Sequence, residues 1–273
     1  MTGAFFRAQH SSHGVELVPQ AEAASGWGQE HMRGLAVSSA LARAAEQQVD
    51  TLGRTDLAPV RWTVDLFRPA RLRPCTASAT VVREGKRLCL IDTVLEQDGR
   101  PVARASALWL APGQSPPGAV WSGGTRPEPP PPGTALVEAQ HRLYFTEETG
   151  WGDADRSTND ARNTIWHEQI PVVEDEPTTP FQLAAGVADV VNVAVNLGGN
   201  GLEFINADVS LALGRLPVGP AVGFATTQRI EEAGISVGTA VAFDRVGVFG
   251  TVTLCALADA HRAVDVRSFR PIA

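Results

Sequence analysis

The sequence predicts an α+β fold: two antiparallel sheets, each wrapped around one long central helix. Three observations predict it. Residues 35–49 and 180–196 both read as helices with a broad apolar face. Each is followed by four runs with strand alternation. Between the two series, residues 111–133 (APGQSPPGAVWSGGTRPEPPPPG) are so dense in Pro and Gly that neither helix nor central strand can form there.

In chain order, residues 1–25 carry one or two short strands, with alternation clearest over residues 13–19. Residues 27–34 (WGQEHMRG) read as a loop ended by Gly34. In the helix at 35–49, Leu35, Ala36, Ala40, Leu41, Ala44, Ala45 and Val49 form the apolar set, and Arg43, Glu46, Gln47 and Asp50 the charged face. Strand signals follow at 60–68, stopped by Pro69, then at 76–83 and 88–97 around a turn at Glu84-Gly85-Lys86. Asp98-Gly99 is the strongest hairpin signal in the chain and leads into residues 101–110. Residues 111–133 are then an extended connector. Beyond it come strands at 136–146 and 163–173, a solvated Glu174-Asp175-Glu176 run, the second helix, and strands at 203–213, 222–230, 236–243 and 247–257. Asp244-Arg245 occupies the place that Asp98-Gly99 holds in the first series (244 − 98 = 146). At that offset PVARASALWL lies over GVFGTVTLCA, which implies an internal duplication. The expected units are residues 1–110, the connector 111–133, and residues 134–273.

The chain of 273 residues is 44% hydrophobic, enough for a substantial core. A net charge of −7 argues against a general nucleic-acid or anionic-membrane surface. Cys75, Cys89 and Cys255 form no CxxC pair and fit a reducing compartment. No run is apolar for the roughly 18 residues of a membrane helix, and the first residues lack a signal-peptide core. The expectation is a soluble cytoplasmic protein. The six histidines are scattered without ligand spacing, so no metal site is expected.

The second helix, PFQLAAGVADVVNVAVN, holds the candidate site. Thr178 or Thr179 can cap it, Pro180 suits the first helical position, and Gly198-Gly199-Asn200-Gly201 ends it. It has no Lys or Arg, and Asp189 is its only charge. At about 100° per residue, Gln182, Asp189, Asn192 and Asn196 fall on one narrow stripe. A buried helix with such a stripe needs partners for those groups or a wet pocket beside them. We read the stripe as the lining of an active site; a helix whose one wet face is uncharged is the alternative. Gly234-Ile235-Ser236-Val237-Gly238 matches the GxSxG nucleophile elbow, but a β-rich run comes after it where the elbow needs a helix, so it reads as a hairpin turn.

Several phrases, taken in order, resemble the double-hotdog acyl-CoA thioesterases of the thioesterase II (TesB-like) family. They are HMRGLAVSSALARAAE, VDLFRP, VVREGKRLCLIDTVLEQDGRPVARASALWL and the Pro-rich connector, then FQLAAGVADVVN, FINADVSLALGR and VTLCALA. The likeness spans nearly the whole chain. It implies two hotdog units side by side and hydrolysis of an acyl-CoA or acyl-carrier thioester, with coenzyme A entering only as part of the substrate. The family's helix Asp falls on Asp189, its strand Thr or Asn on Asn206, and its last-strand Gln on Cys255 or within a residue of it. Cys cannot donate and accept as an amide does, so Asn192 or Gln182 would have to supply that group. The resemblance further implies an oxyanion site at a helix N-terminus, near Gly34 or near Pro180. Candidates for the coenzyme A phosphates are Arg68, Arg71, Arg73, Arg83, Lys86 and Arg87. The rival expectation is an acyl or acyl-CoA binding protein without hydrolysis. Monomer, dimer and tetramer all fit the sequence.

Overall fold

The computed structural model of the chain describes residues 3–11, 14–136, 141–153, 159–259 and 263–266. In the first half, β1 (Phe6–Ser11) and β2 (Gly14–Pro19) form a hairpin, and β3 (Ala24–Ser25) pairs with β4 (Gly28–Met32). Helix α1 (Gly34–Thr51) leads to β5 (Ala58–Leu66), β6 (Thr76–Gly85), β7 (Leu88–Gln97) and β8 (Arg100–Leu110). Residues 111–136 contain no helix or strand, as the Pro-rich composition predicts. The second half opens with β9 (Arg142–Thr146), β10 (Gly150–Gly152) and β11 (Thr164–Glu168). It continues through α2 (Pro180–Val187), a 3-10 turn (Ala188–Val190) and α3 (Val191–Asn196). It closes with β12 (Leu197–Gly198), β13 (Gly201–Leu202), β14 (Phe204–Asn206), β15 (Asp208–Leu213), β16 (Ala221–Glu232), β17 (Ile235–Asp244) and β18 (Gly247–Ala258).

Three expectations need correction. First, the strands do not form two separate sheets. Among the described residues, twelve strands from both halves make one continuous antiparallel sheet in the order β10-β9-β11-β16-β17-β18-β15-β5-β8-β7-β6, with β14 also on β18. The join is β5 to β15, where buried Trp62 faces Leu211 and buried Val64 faces Val209. Matching inward alternation on two edge strands lets each edge satisfy the other's backbone groups. Second, the second helix is not a straight four turns: it tightens to 3-10 winding at Ala188–Val190, around Asp189. Third, residues 27–34 are not all loop, because Gly28–Met32 pairs with β3. His13, at the start of one expected strand, and His261 lie outside the described residues.

The duplication is visible, one residue away from its sequence register. Asp98-Gly99 closes the β7–β8 hairpin with φ of 51° and 68°, but Arg245-Val246 closes β17–β18 (245 − 98 = 147). At 147 the buried Val102, Ala105, Ala107 and Trp109 fall on the buried Phe249, Val252, Leu254 and Ala256. Asp244 is paired before the turn and anchors it instead, its Oδ1 accepting the N–H groups of Val246 and Gly247.

Helix α1 packs on β6, β7 and β8, and α3 on β16, β17 and β18. The helices also pack on each other. Ser38 Oγ donates to Ala185 O at 2.7 Å, and a Cβ at Gly186 would collide with Ser39 Oγ, so glycine sets the close approach. Phe181, in the first turn of α2, reaches into the first half between Trp62 and Trp109, with ring centroids 5.7 and 5.4 Å away. One hydrophobic cluster therefore runs through both halves. No helix among the described residues is long and apolar enough to cross a membrane.

Candidate active site

Asp189 reaches the N-terminus of α1 across the junction between the halves. Its carboxylate lies so close to Gly34 that a Cβ there would collide with both oxygens. The side chain is half-buried and lines a cavity of about 740 Å³. Asn206 Nδ2 donates to Asp189 Oδ1 at 2.9 Å. Burial pushes the Asp189 carboxyl above its ordinary value, outweighing the opposing effects of the Asn206 hydrogen bond, the Arg142 and Arg33 guanidinium charges and the Leu35 N–H. A carboxylate with a raised proton affinity, facing a cavity, is a competent general base.

The structure gathers five of the expected residues around this cavity: Asp189, Asn206, Asn192, Gly34 and Arg68. Arg68 is exposed at the rim. Asn192 Nδ2 donates to Phe204 O at 2.9 Å, tying the helix to β14. Trp27, Met32, Leu35, Leu66, Val190 and Ile205 supply apolar wall. Such walls suit an acyl chain.

Two expected residues lie elsewhere. Gln182 is buried one helix segment away and donates to Glu46 Oε2 at 2.8 Å, beside Thr179, whose hydroxyl also donates to that oxygen and caps α2. The Pro180 end of the helix is capped by the Thr179 hydroxyl and lies outside the cavity lining, whereas Gly34 at the α1 N-terminus is part of it. Cys255 is exposed on the opposite face of β18, while its neighbours Leu254 and Ala256 point inward. The residue paired across from Asn206 is the buried Ala256, next to Cys255. Of the other basic candidates, Arg71 pairs with Glu30 at 3.1 Å and Arg73 with Asp98 at 2.5 Å. Arg83, Lys86 and Arg87 lie outside the cavity lining.

Two residues that sequence reasoning missed also line the cavity. Arg33 and Arg142 are buried, 8% and 4% exposed. Arg33 Nε donates to Ala24 O at 2.9 Å. Desolvation first, then the Arg142 charge, lowers the Arg33 guanidinium to about 10, against the opposing charges of Glu22 and Asp189. Arginine is seldom so buried, and RLYF in an apolar strand was the available signal.

Residues 23–110 match the family model of the acyl-CoA thioesterase N-terminal domain. Over that stretch the match agrees with the resemblance read from the sequence. Solved structures show a likeness of fold over most of the chain. The tesB protein of Mycobacterium avium subsp. paratuberculosis superposes with a TM-score of 0.64 at 17% identity, over 89% of this chain and 92% of that one. An acyl-CoA thioesterase II from Mycobacterium marinum gives 0.61 at 12% identity, over 83% and 90%. A protein with a hotdog fold from Alicyclobacillus acidocaldarius gives 0.58 at 16% identity, over 91% and 94%. These likenesses show a hotdog-type fold. No curated protein matches the sequence.

Proposed function

We propose that the protein hydrolyses acyl-CoA thioesters to free acid and coenzyme A, as a double hotdog of residues 1–110 and 134–273 joined by 111–133. The observation that carries the reading is the Asp189 carboxylate at the wall of an apolar cavity, held by Asn206 and seated on the α1 N-terminus. Asp189 takes a proton from a water as that water attacks the thioester carbonyl. Asn206 fixes the carboxylate by its Nδ2, leaving its carbonyl oxygen able to orient the water. Negative charge developing on the carbonyl oxygen is stabilised by the α1 N-terminus at Gly34 and by the nearby guanidinium charges. The acyl chain lies along the apolar wall, and Arg68 at the rim meets coenzyme A phosphate. The reaction needs no cofactor, and its site is expected to work in the cytoplasm.

Thiol release from a panel of acyl-CoA thioesters, with wild type and Asp189→Asn compared, tests the reading. Turnover that Asp189→Asn lowers by at least about 10²-fold supports it; equal turnover in both removes Asp189 from the chemistry. One feature favours a second reading, acyl-CoA binding without hydrolysis: the methyl of Ala256 opposite Asn206. Mass spectrometry that finds bound acyl-CoA without thiol release would decide for that reading.

A further inference from the structure

From Asn192 in the cavity wall a chain of polar side chains runs inward through buried Asn196 and Ser236 and out to exposed Arg229. Asn196, at the end of α3, is its hub. Asn196 Nδ2 donates to Asn192 Oδ1 at 2.9 Å. Asn196 Oδ1 accepts from Ser236 Oγ at 2.7 Å and from Arg229 Nε at 3.0 Å. Asn192 in turn donates to the Phe204 carbonyl, and the Arg229 guanidinium lies over the Phe204 ring at 4.9 Å. Asn192, Asn196 and Ser236 are 3%, 6% and 0% exposed. Ser236 is the serine of the GxSxG look-alike, which the structure forms as the hairpin between β16 and β17.

Two of these contacts reach β14, the Asn192 hydrogen bond to the Phe204 carbonyl and the Arg229 guanidinium over the Phe204 ring. That strand has three residues, and among the described residues it pairs with β18 alone. Its free side borders the cavity through Ile205 and Asn206. On its far side Asn206 is followed by Ala207, whose N–H donates to Cys255 O and whose carbonyl accepts from the Leu66 N–H, both at 2.8 Å, so β18 and β5 hold that end. The Asn196 hub supplies the anchor on the near side, at Phe204, two residues before Asn206.

We propose that Asn196 is a positioning residue: through Asn192 it holds β14, and with it Asn206, against the Asp189 carboxylate. The inference rests on the hydrolase reading for its kinetic consequence, but its structural core does not. The groups facing Asp189 are Arg33 and the Leu35 N–H at the start of α1, Arg142 on β9 and Asn206 on β14. Of these, only Asn206 is carried by the strand that the hub anchors. A purely structural role for Asn196 would lower stability and leave the proton affinity of Asp189 unchanged. A positioning role loosens the Asn206 hydrogen bond, and Asp189 then binds its proton more tightly.

The test compares wild type with Asn196→Ala and with the milder Ser236→Ala, which removes one of the two donors on Asn196 Oδ1. Two readouts are used. Carbon NMR of Asp-labelled protein follows the Asp189 carboxyl, assigned by its absence in Asp189→Asn. Its midpoint is expected to move to higher pH in both variants, further in Asn196→Ala. In thiol release, kcat is expected to fall about tenfold in Asn196→Ala with KM within about twofold, and the acid limb to move upward. An Asp189 midpoint equal to wild type in the folded variants overturns the inference. If Asn196→Ala does not fold, Ser236→Ala carries the same two outcomes. Absence of thiol release by wild type would sink the hydrolase reading alone, and the NMR midpoints would still decide this one.

Discussion

A single methyl group placed at Gly34 tests the geometry of the site most sharply. Gly34 is the first residue of α1, so Ala fits its backbone and is favoured over Gly within helices by up to about 1 kcal/mol. The obstacle is Asp189. The new Cβ would lie 2.5 Å from Asp189 Cγ, where ordinary contact begins at 3.4 Å. The carboxylate must therefore retreat by about 0.9 Å, away from the α1 N-terminus and out of line with the 2.9 Å bond from Asn206. A displacement of about 1 Å in a reacting group costs on the order of 10²-fold in rate. Gly34→Ala is expected to lower kcat for acyl-CoA hydrolysis by about that factor, while the melting temperature stays within a few degrees of wild type. Thiol-release kinetics and a thermal melt on the same preparation read both. Wild-type turnover in a folded Gly34→Ala protein would refute the placement of Asp189 against α1.

Asp189→Asn is expected to lose activity without losing stability. Because burial raises the native carboxyl, the native state holds that proton more tightly than the unfolded chain, and the ionised group costs stability at pH values above its native midpoint. The melting temperature of Asp189→Asn at pH 7 should equal or exceed that of wild type; a clear drop would show that Arg33 and Arg142 outweigh desolvation. His167 is fully buried, its Nδ1 donating to Glu168 O at 2.6 Å, and burial with the Arg142 charge holds the ring well below the ordinary histidine value. The unfolded chain takes up that proton below about pH 6.5, so stability is expected to fall with acidity there, by up to about 1.4 kcal/mol per pH unit. Denaturant melts should show that slope flattened in His167→Leu, and an unchanged slope would acquit His167. Cys255→Ser is expected to keep turnover within about twofold, since the thiol faces away from the cavity; a large loss in thiol release would return Cys255 to the site.

Much of the architecture was legible because it is written in short-range signals. Thr179 caps α2 and Pro180 follows it as expected, Asp98-Gly99 makes its turn, and the connector stays free of regular structure. Asp189 itself was legible as the lone charge on an apolar helix. The extrapolated stripe failed on Gln182 because a stripe gives a face and not a position along the axis. It failed on Asn196 for the same reason: Asn196 shares the face of Asn192, to which it donates at 2.9 Å, but sits one turn further along the axis, outside the cavity lining. The position of Cys255 turned on parity: strand neighbours face opposite ways, so its thiol points outward while Leu254 and Ala256 on either side point inward. The same parity separates an offset of 146 from one of 147. Arg142 left a faint signal in RLYF, while Arg33 left none because its burial depends on contacts distant in sequence.

The carboxylate and the helix end that receives it come from opposite sides of the connector, which is anchored at Pro130 by Arg245. A cut within residues 112–126 would leave neither fragment with a whole reaction centre. Each would also carry one unmatched sheet border, β5 or β15, with its apolar rows uncovered. The two pieces are therefore built to recognise each other, and hydrolysis should return only when both are mixed.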